Sequence, residues 1–170
     1  MRGSCGRCPV TRRLCVDGIR VTLWEGLRPN VAACHTRRVA PTARTLADFV
    51  RAALMEIEEI SPEEAREILD AEDRGGFHFV DVREADEFAE GHVPGARNCP
   101  RGFLEVRADK HHHKRDPWLE DRQRRLILYC GGGNRSALAA QTLQQMGFKH
   151  VCSLREGWSG WDDRGYPVEK

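Results

Sequence analysis

Apolar positions from Thr45 onward fall into alternating runs of helical and strand-like spacing. Leu46, Phe49, Val50, Ala53, Leu54 and Ile57 recur at intervals of three and four, which predicts an amphipathic helix ending near residue 60. Ser61-Pro62-Glu63-Glu64 then supplies a cap, a proline for the first helical position and a glutamate three residues on, opening a second helix through residue 69. Gly75 and Gly76 close it. Residues 77–82 read as a buried strand, 85–89 as a short helix, 91–95 as a turn and 96–98 as a brief strand. A helix is predicted over 101–108, followed by a polar surface loop over 109–125 that contains Pro117. Residues 126–129 form the clearest strand. Residues 136–146 carry Ala137, Leu138, Ala140, Leu143 and Met146 at helical spacing and stop at Gly147. One more strand over 151–154 and a short helix over 158–163 complete the chain.

Strands alternating with helices predict an α/β domain with a central, mostly parallel sheet flanked by helices. In such sheets ligands bind beyond the carboxyl ends of the strands, and Cys130 stands where a strand gives way to a helix.

Composition narrows the class. The chain has 170 residues, 40% hydrophobic and 31% charged, with a mean hydropathy of -0.59, as expected of one soluble globular domain. No apolar run approaches the roughly 20 residues of a membrane span, and the start lacks the apolar core of a secretory leader. The expected location is the cytoplasm. A net charge of +1 gives no case for a nucleic-acid or membrane partner. That balance hides an asymmetry: residues 1–44 hold nine Arg against Asp17 and Glu25, leaving the remainder acidic. This start reads as a nucleic-acid arm, a transit segment or, as the reading adopted, a weakly structured basic extension, because residues 1–40 sustain neither alternation nor helical spacing. Residues 45–60 are then a helical lead-in and 61–170 the main domain.

The candidate chemistry lies in Cys130-Gly131-Gly132-Gly133-Asn134-Arg135-Ser136. Three glycines let backbone amides turn inward, and the helix start adds unpaired N–H groups that favour negative charge at the sulfur. Arg135 adds charge; Asn134 and Ser136 add donors. The bland alternative is an inert buried cysteine before a flexible turn, which has no need of three glycines.

These residues resemble the rhodanese family of sulfurtransferases. Asp81-Val82-Arg83-Glu84, Glu87-Phe88 and Gly91-His92-Val93-Pro94-Gly95-Ala96 are similar to the family's opening signature. Tyr129-Cys130 with residues 131–136 resembles its active-site loop, and Glu156-Gly157-Trp158, Trp161 and Gly165-Tyr166-Pro167-Val168 its closing one. The resemblance makes 61–170 a rhodanese domain in which Cys130 carries a persulfide and the amides of Gly131, Gly132, Gly133, Asn134, Arg135 and Ser136 cradle the outer sulfur. It implies a small sulfur-containing anion or a protein persulfide as donor and cyanide or a thiol as acceptor, with no metal or organic cofactor. Two alternatives stand beside it. One is a non-catalytic binding or sulfur-relay module. The other is a phosphatase of the related fold, which holds phosphate in a Cys-x5-Arg loop, whereas four residues separate Cys130 from Arg135. The chain also has Arg155-Glu156-Gly157 where many members carry paired glycines.

By the same resemblance Asp81 and Arg83 organise the neighbourhood of the loop as supporting residues. His92 is expected to anchor turn backbone, and His111-His112-His113 to lie in a solvated loop. Seven cysteines fit a reducing compartment. Cys5, Cys8, Cys15, Cys34 and His35 offer zinc-type ligands at irregular spacing. Cys99 and Cys152 read as small core residues, either of which resolves a Cys130 persulfide if it lies close enough.

Overall fold

The computed structural model describes residues 43–170 and, before them, two short strands, β1 (Arg13–Val16) and β2 (Ile19–Thr22), paired antiparallel. Both strands fall within the basic extension of residues 1–44. The sequence between the strands is Asp17-Gly18, a strong hairpin signal. The rest of the basic extension, with Cys5, Cys8, Cys34 and His35, lies outside the described residues.

Residues 44–170 form a separate compact unit that opens with α1 (Leu46–Leu54), capped reciprocally by Thr45 and Asp48. The helix stops six residues before the predicted end near Ile60, and Glu58–Ile60 forms strand β3. The cause is downstream. Ser61 precedes Pro62 and is held extended at φ -75°, ψ 160°, while the Ile60 carbonyl accepts the Arg155 amide at 2.9 Å in a parallel pairing with the last strand. The apolar stripe is also only partly used: Ala53 is fully buried, whereas Leu46 and Phe49 are about half exposed.

Helix α2 (Pro62–Asp70) has the predicted capping box, with Ser61 N donating to Glu64 at 2.7 Å. There follow β4 (Phe77–Asp81), α3 (Ala85–Glu90), β5 (Arg97–Asn98), α4 (Leu104–Ala108), β6 (Arg125–Tyr129), α5 (Asn134–Gln145), β7 (His150–Leu154) and α6 (Gly157–Asp163). The five strands β3 to β7 make one sheet in the order β3-β7-β6-β4-β5, and every neighbouring pair is parallel. The α/β reading is therefore correct.

Side chains alternate across the sheet. Leu126 and Leu128 of β6 face a cluster with Ala137, Ala140 and Leu143 of α5. Ile127 and Tyr129 face the opposite cluster with Ala65 of α2 and Trp161 of α6. Cys130 continues the first set, beneath α5. The polar loop after α4 is not wholly solvated: Leu119 within it is buried to 1% and joins the same cluster. Among the described residues no helix is long and apolar enough to cross a membrane.

Candidate active site

β6 is the third of five strands, so the residue that follows it emerges near the middle of the sheet's carboxyl edge. That residue is Cys130, with 1% of its surface exposed. Its carbonyl accepts the Trp158 amide at 2.6 Å, and the Gly131 carbonyl accepts the Ser159 amide at 2.9 Å. In a trans peptide the N–H points opposite to the C=O, so the amides of Gly131 and Gly132 are turned away from α6. Gly133 takes a left-handed conformation at φ 91° and starts α5, whose first-turn amides have no helical acceptor. Among the described residues no backbone amide from 131 to 136 donates to a main-chain acceptor. The result is a run of amides directly following Cys130 that have no main-chain acceptor, an arrangement that favours negative charge there.

Ser136 is fully buried with its Oγ 3.6 Å from Cys130 Sγ. It donates to the Gly133 carbonyl at 2.9 Å and accepts from Ser153 Oγ at 2.9 Å. Asn134 and Gly132 are exposed at the mouth. Arg135 donates twice to Glu87 of α3, at 2.9 and 3.0 Å. The Arg135 hydrogen bonds hold the Glu87 carboxyl down to about 2. The Glu87 carboxylate in return raises the Arg135 guanidinium further above its already high value.

Asp81 ends β4 beside β6 and is fully buried, and Arg83 is 4% exposed. The Arg83 guanidinium donates to Asp81 at 2.6 Å and to the Gly91 carbonyl at 2.7 Å. It also lies over the rings of Trp158 at 4.6 Å and Tyr129 at 5.8 Å. The pair thus braces the residues on either side of the loop without a hydrogen bond to Cys130. The His92 ring stacks on Phe88 at 3.7 Å and its Nδ1 lies 3.0 Å from the Phe88 carbonyl, the contact with backbone expected of it, while the His92 backbone bridges to Glu169. No metal-binding group of three or more His, Cys, Asp or Glu occurs among the described residues.

Burial pushes the Cys99 thiol up to about 11 and the Cys152 thiol up to about 12. Cys152 packs in the cluster on the face of the sheet opposite Cys130. In the closing segment Glu156 adopts the left-handed conformation, φ 62°, that a glycine would take freely.

The predicted loop residues therefore converge, with Asp81 and Arg83 beneath them. Two partners escaped the sequence reading. Glu87 was legible only as part of a motif, and no sequence signal marks Ser153, a single serine in an apolar strand.

A parallel α/β domain with a buried cysteine in a glycine loop at the carboxyl edge defines the class: a cysteine-loop α/β domain. The chain belongs to the rhodanese-like domain family, whose family model matches residues 61–164. It is similar to the thiosulfate sulfurtransferase GlpE of Pseudomonas aeruginosa, 32% identical over 102 residues, covering 60% of this chain and 81% of that one. Among solved structures it is similar to RPA3614 of Rhodopseudomonas palustris, a protein of unknown function described as a possible tyrosine phosphatase. The TM-score is 0.71 with 31% identity, covering 77% of this chain and 98% of the other. YrkF of Bacillus subtilis is longer: the two are 30% identical over 105 residues, and the chain spans about half, 51%, of its length.

Proposed function

We propose that the domain is a sulfurtransferase that moves sulfane sulfur from a donor such as thiosulfate, or from a protein persulfide, to cyanide or a thiol through Cys130. The observation that carries this reading is the buried Cys130 followed directly by a glycine loop whose amides donate to no main-chain acceptor. In the first half-reaction the Cys130 thiolate forms an S–S bond to the sulfane sulfur, and the bond to the sulfonate breaks, so sulfite leaves with the electron pair. In the second, the acceptor takes the outer sulfur and the Cys130 thiolate departs with the electrons of the S–S bond. Charge on the outer sulfur and on the departing thiolate is met by fixed backbone dipoles, so neither step requires a separate general base. The name that GlpE carries supports the reading.

The test is thiocyanate production from thiosulfate and cyanide by the full chain, with intact mass measured after donor alone. Wild type is expected to gain the mass of one sulfur atom and to turn over, and Cys130→Ser to do neither. Turnover by Cys130→Ser, or no mass gain in wild type, overturns the proposal.

The description of RPA3614 favours a phosphatase as the second reading. Against it, four residues lie between Cys130 and Arg135, one fewer than a phosphate cradle uses, and Arg135 is already engaged by Glu87. Hydrolysis of an aryl phosphate by wild type but not by Cys130→Ser decides for it. Silence in both assays decides for a binding module.

A further inference from the structure

Ser153 lies on β7 opposite Leu128 in the parallel register and is fully buried. Val151, two residues earlier on the same face, belongs with Leu128 to the apolar cluster beneath α5. A hydroxyl placed there loses hydration and costs stability unless it is bonded. The bond it makes is donated to Ser136 Oγ at 2.9 Å. Ser136 in turn donates to the Gly133 carbonyl at 2.9 Å and lies 3.6 Å from Cys130 Sγ.

A hydroxyl has one proton and two acceptor positions. With Ser153 on one acceptor position and its own proton on Gly133, Ser136 can accept from the Cys130 S–H through the other. When Cys130 is negative that donor is gone, and the Ser136 proton is free to turn to the sulfur. The Gly133 carbonyl is not stranded by this, because it also accepts the Ala137 amide at 3.0 Å. The bond arriving from Ser153 limits how Ser136 can turn and polarises its O–H.

We propose that Ser153 is a positioning residue for Cys130, acting through Ser136 to present a hydroxyl proton to the sulfur whenever it is negative. No covalent bond changes; one hydroxyl proton exchanges a carbonyl partner for a sulfur partner. The use of this chain in turnover rests on the sulfur-transfer reading, whereas its effect on the free thiol does not. The charged groups of the neighbourhood are Arg135 with Glu87, and Arg83 with Asp81. Neither pair hydrogen-bonds to either serine; Arg135 also acts on Cys130 directly, and it is left in place in every serine variant.

The test is peptide-resolved alkylation of Cys130 by iodoacetamide in the full chain, with the rate at pH 7 divided by the rate at pH 10. The ratio separates ionisation from access. Ser153→Ala is expected to lower it about threefold to tenfold, the range that a hydrogen bond of ordinary strength converts to. Ser153→Thr, which keeps the hydroxyl, is expected to restore it to within about twofold, and Ser136→Ala to lower it as Ser153→Ala does. The double variant is expected to be no worse than Ser136→Ala, the signature of two residues acting in one chain. A ratio unmoved in Ser153→Ala overturns the proposal, even if the melting temperature falls, because a merely structural pin would do that. Additive losses in the double variant also overturn it. If Ser153→Ala does not fold, Ser136→Ala decides, since an unmoved ratio there removes the link to the sulfur. Sulfur loading from thiosulfate is measured on the same samples. Its absence in wild type sinks the sulfurtransferase reading and leaves the alkylation result standing.

Discussion

Glu87 of α3 grips Arg135 of α5 through both carboxylate oxygens, at 2.9 and 3.0 Å. The bidentate geometry fixes the guanidinium and neutralises the cation of the loop before any donor arrives. Removing the carboxylate leaves Arg135 available to a small anion. Glu87→Gln is expected to lower the KM for thiosulfate about threefold to tenfold, with kcat within about threefold, because one partly exposed charge pair is worth of order 1 kcal/mol. Steady-state kinetics checks this. An unchanged KM would mean that the donor does not meet Arg135.

The same pair sets an acid limit. Arg135 lowers the Glu87 carboxyl from its ordinary 4.5 to about 2. A carboxyl depressed in the folded state contributes stability that is complete above about pH 4.5 and is lost as pH falls through about 2. Both side chains are more than a third exposed, and solvent screening reduces the contribution to about 1 kcal/mol. Urea unfolding of wild type and Glu87→Gln is expected to differ by about that much at pH 7. The difference should shrink between pH 4.5 and pH 2; a gap that widens on acidification contradicts it.

The Asp81–Arg83 pair is buried and behaves differently. Arg83 donates to Asp81 from its backbone amide, Nε and Nη2, all between 2.6 and 3.1 Å. Asp81→Ala strands a guanidinium that is 4% exposed, at a cost of about 3 to 5 kcal/mol. The joint variant Asp81→Ala/Arg83→Met is expected to recover most of that loss, because it leaves no buried charge unpaired. Chemical denaturation of the three proteins tests the ordering. Equal losses in the single and joint variants would show that packing, and not charge, is what the pair supplies.

Two glycines near the sulfur differ in what a methyl group would meet. At Gly157, with φ +57°, an added Cβ would lie 2.2 Å from the Cys130 carbonyl, whereas at Gly132 nothing lies within 4 Å. Gly157→Ala must push the loop off α6 and is expected to cost about 3 kcal/mol or more, combining steric overlap with left-handed strain, and to abolish sulfur loading. Gly132→Ala is expected to keep stability within about 1 kcal/mol of wild type. Thermal unfolding and donor-dependent mass gain separate the two. A stable, loadable Gly157→Ala would show that the loop does not depend on close approach to α6.

The sulfur loop was legible because its signals are local: an apolar strand, a glycine run and a helical repeat meet within about a dozen residues, and each constrains the backbone by itself. The end of α1 was not. Ile57 and Ile60 continue a three-residue spacing that suits a helix, yet Ile57 lies in the bend after α1 and Ile60 in β3, which pairs in parallel with β7 almost a hundred residues away in sequence. Leu119 was hidden for a similar reason, as one leucine among charges gives no period to detect. Ser153 and Glu87 matter through what they touch in space, and no spacing along the chain encodes either contact.

Cys99 and Cys152 are the remaining cysteines whose side chains are described, and both are buried. Burial holds their thiols protonated, at about 11 and about 12, so neither supplies a thiolate near neutral pH. Cys152 also packs on the other face of the sheet and donates to the Leu126 carbonyl at 3.6 Å. A resolving thiol must be ionised and must reach the outer sulfur, and Cys152 fails on both counts. Cys99→Ala/Cys152→Ala is expected to load sulfur as wild type does and to pass it to cyanide or a thiol within about twofold of the wild-type rate. The accompanying stability loss is about 1 kcal/mol per site from the lost apolar volume. A tenfold drop in transfer with loading intact, measured by rapid mixing of the persulfidated protein with acceptor, would assign one of them a place in the relay.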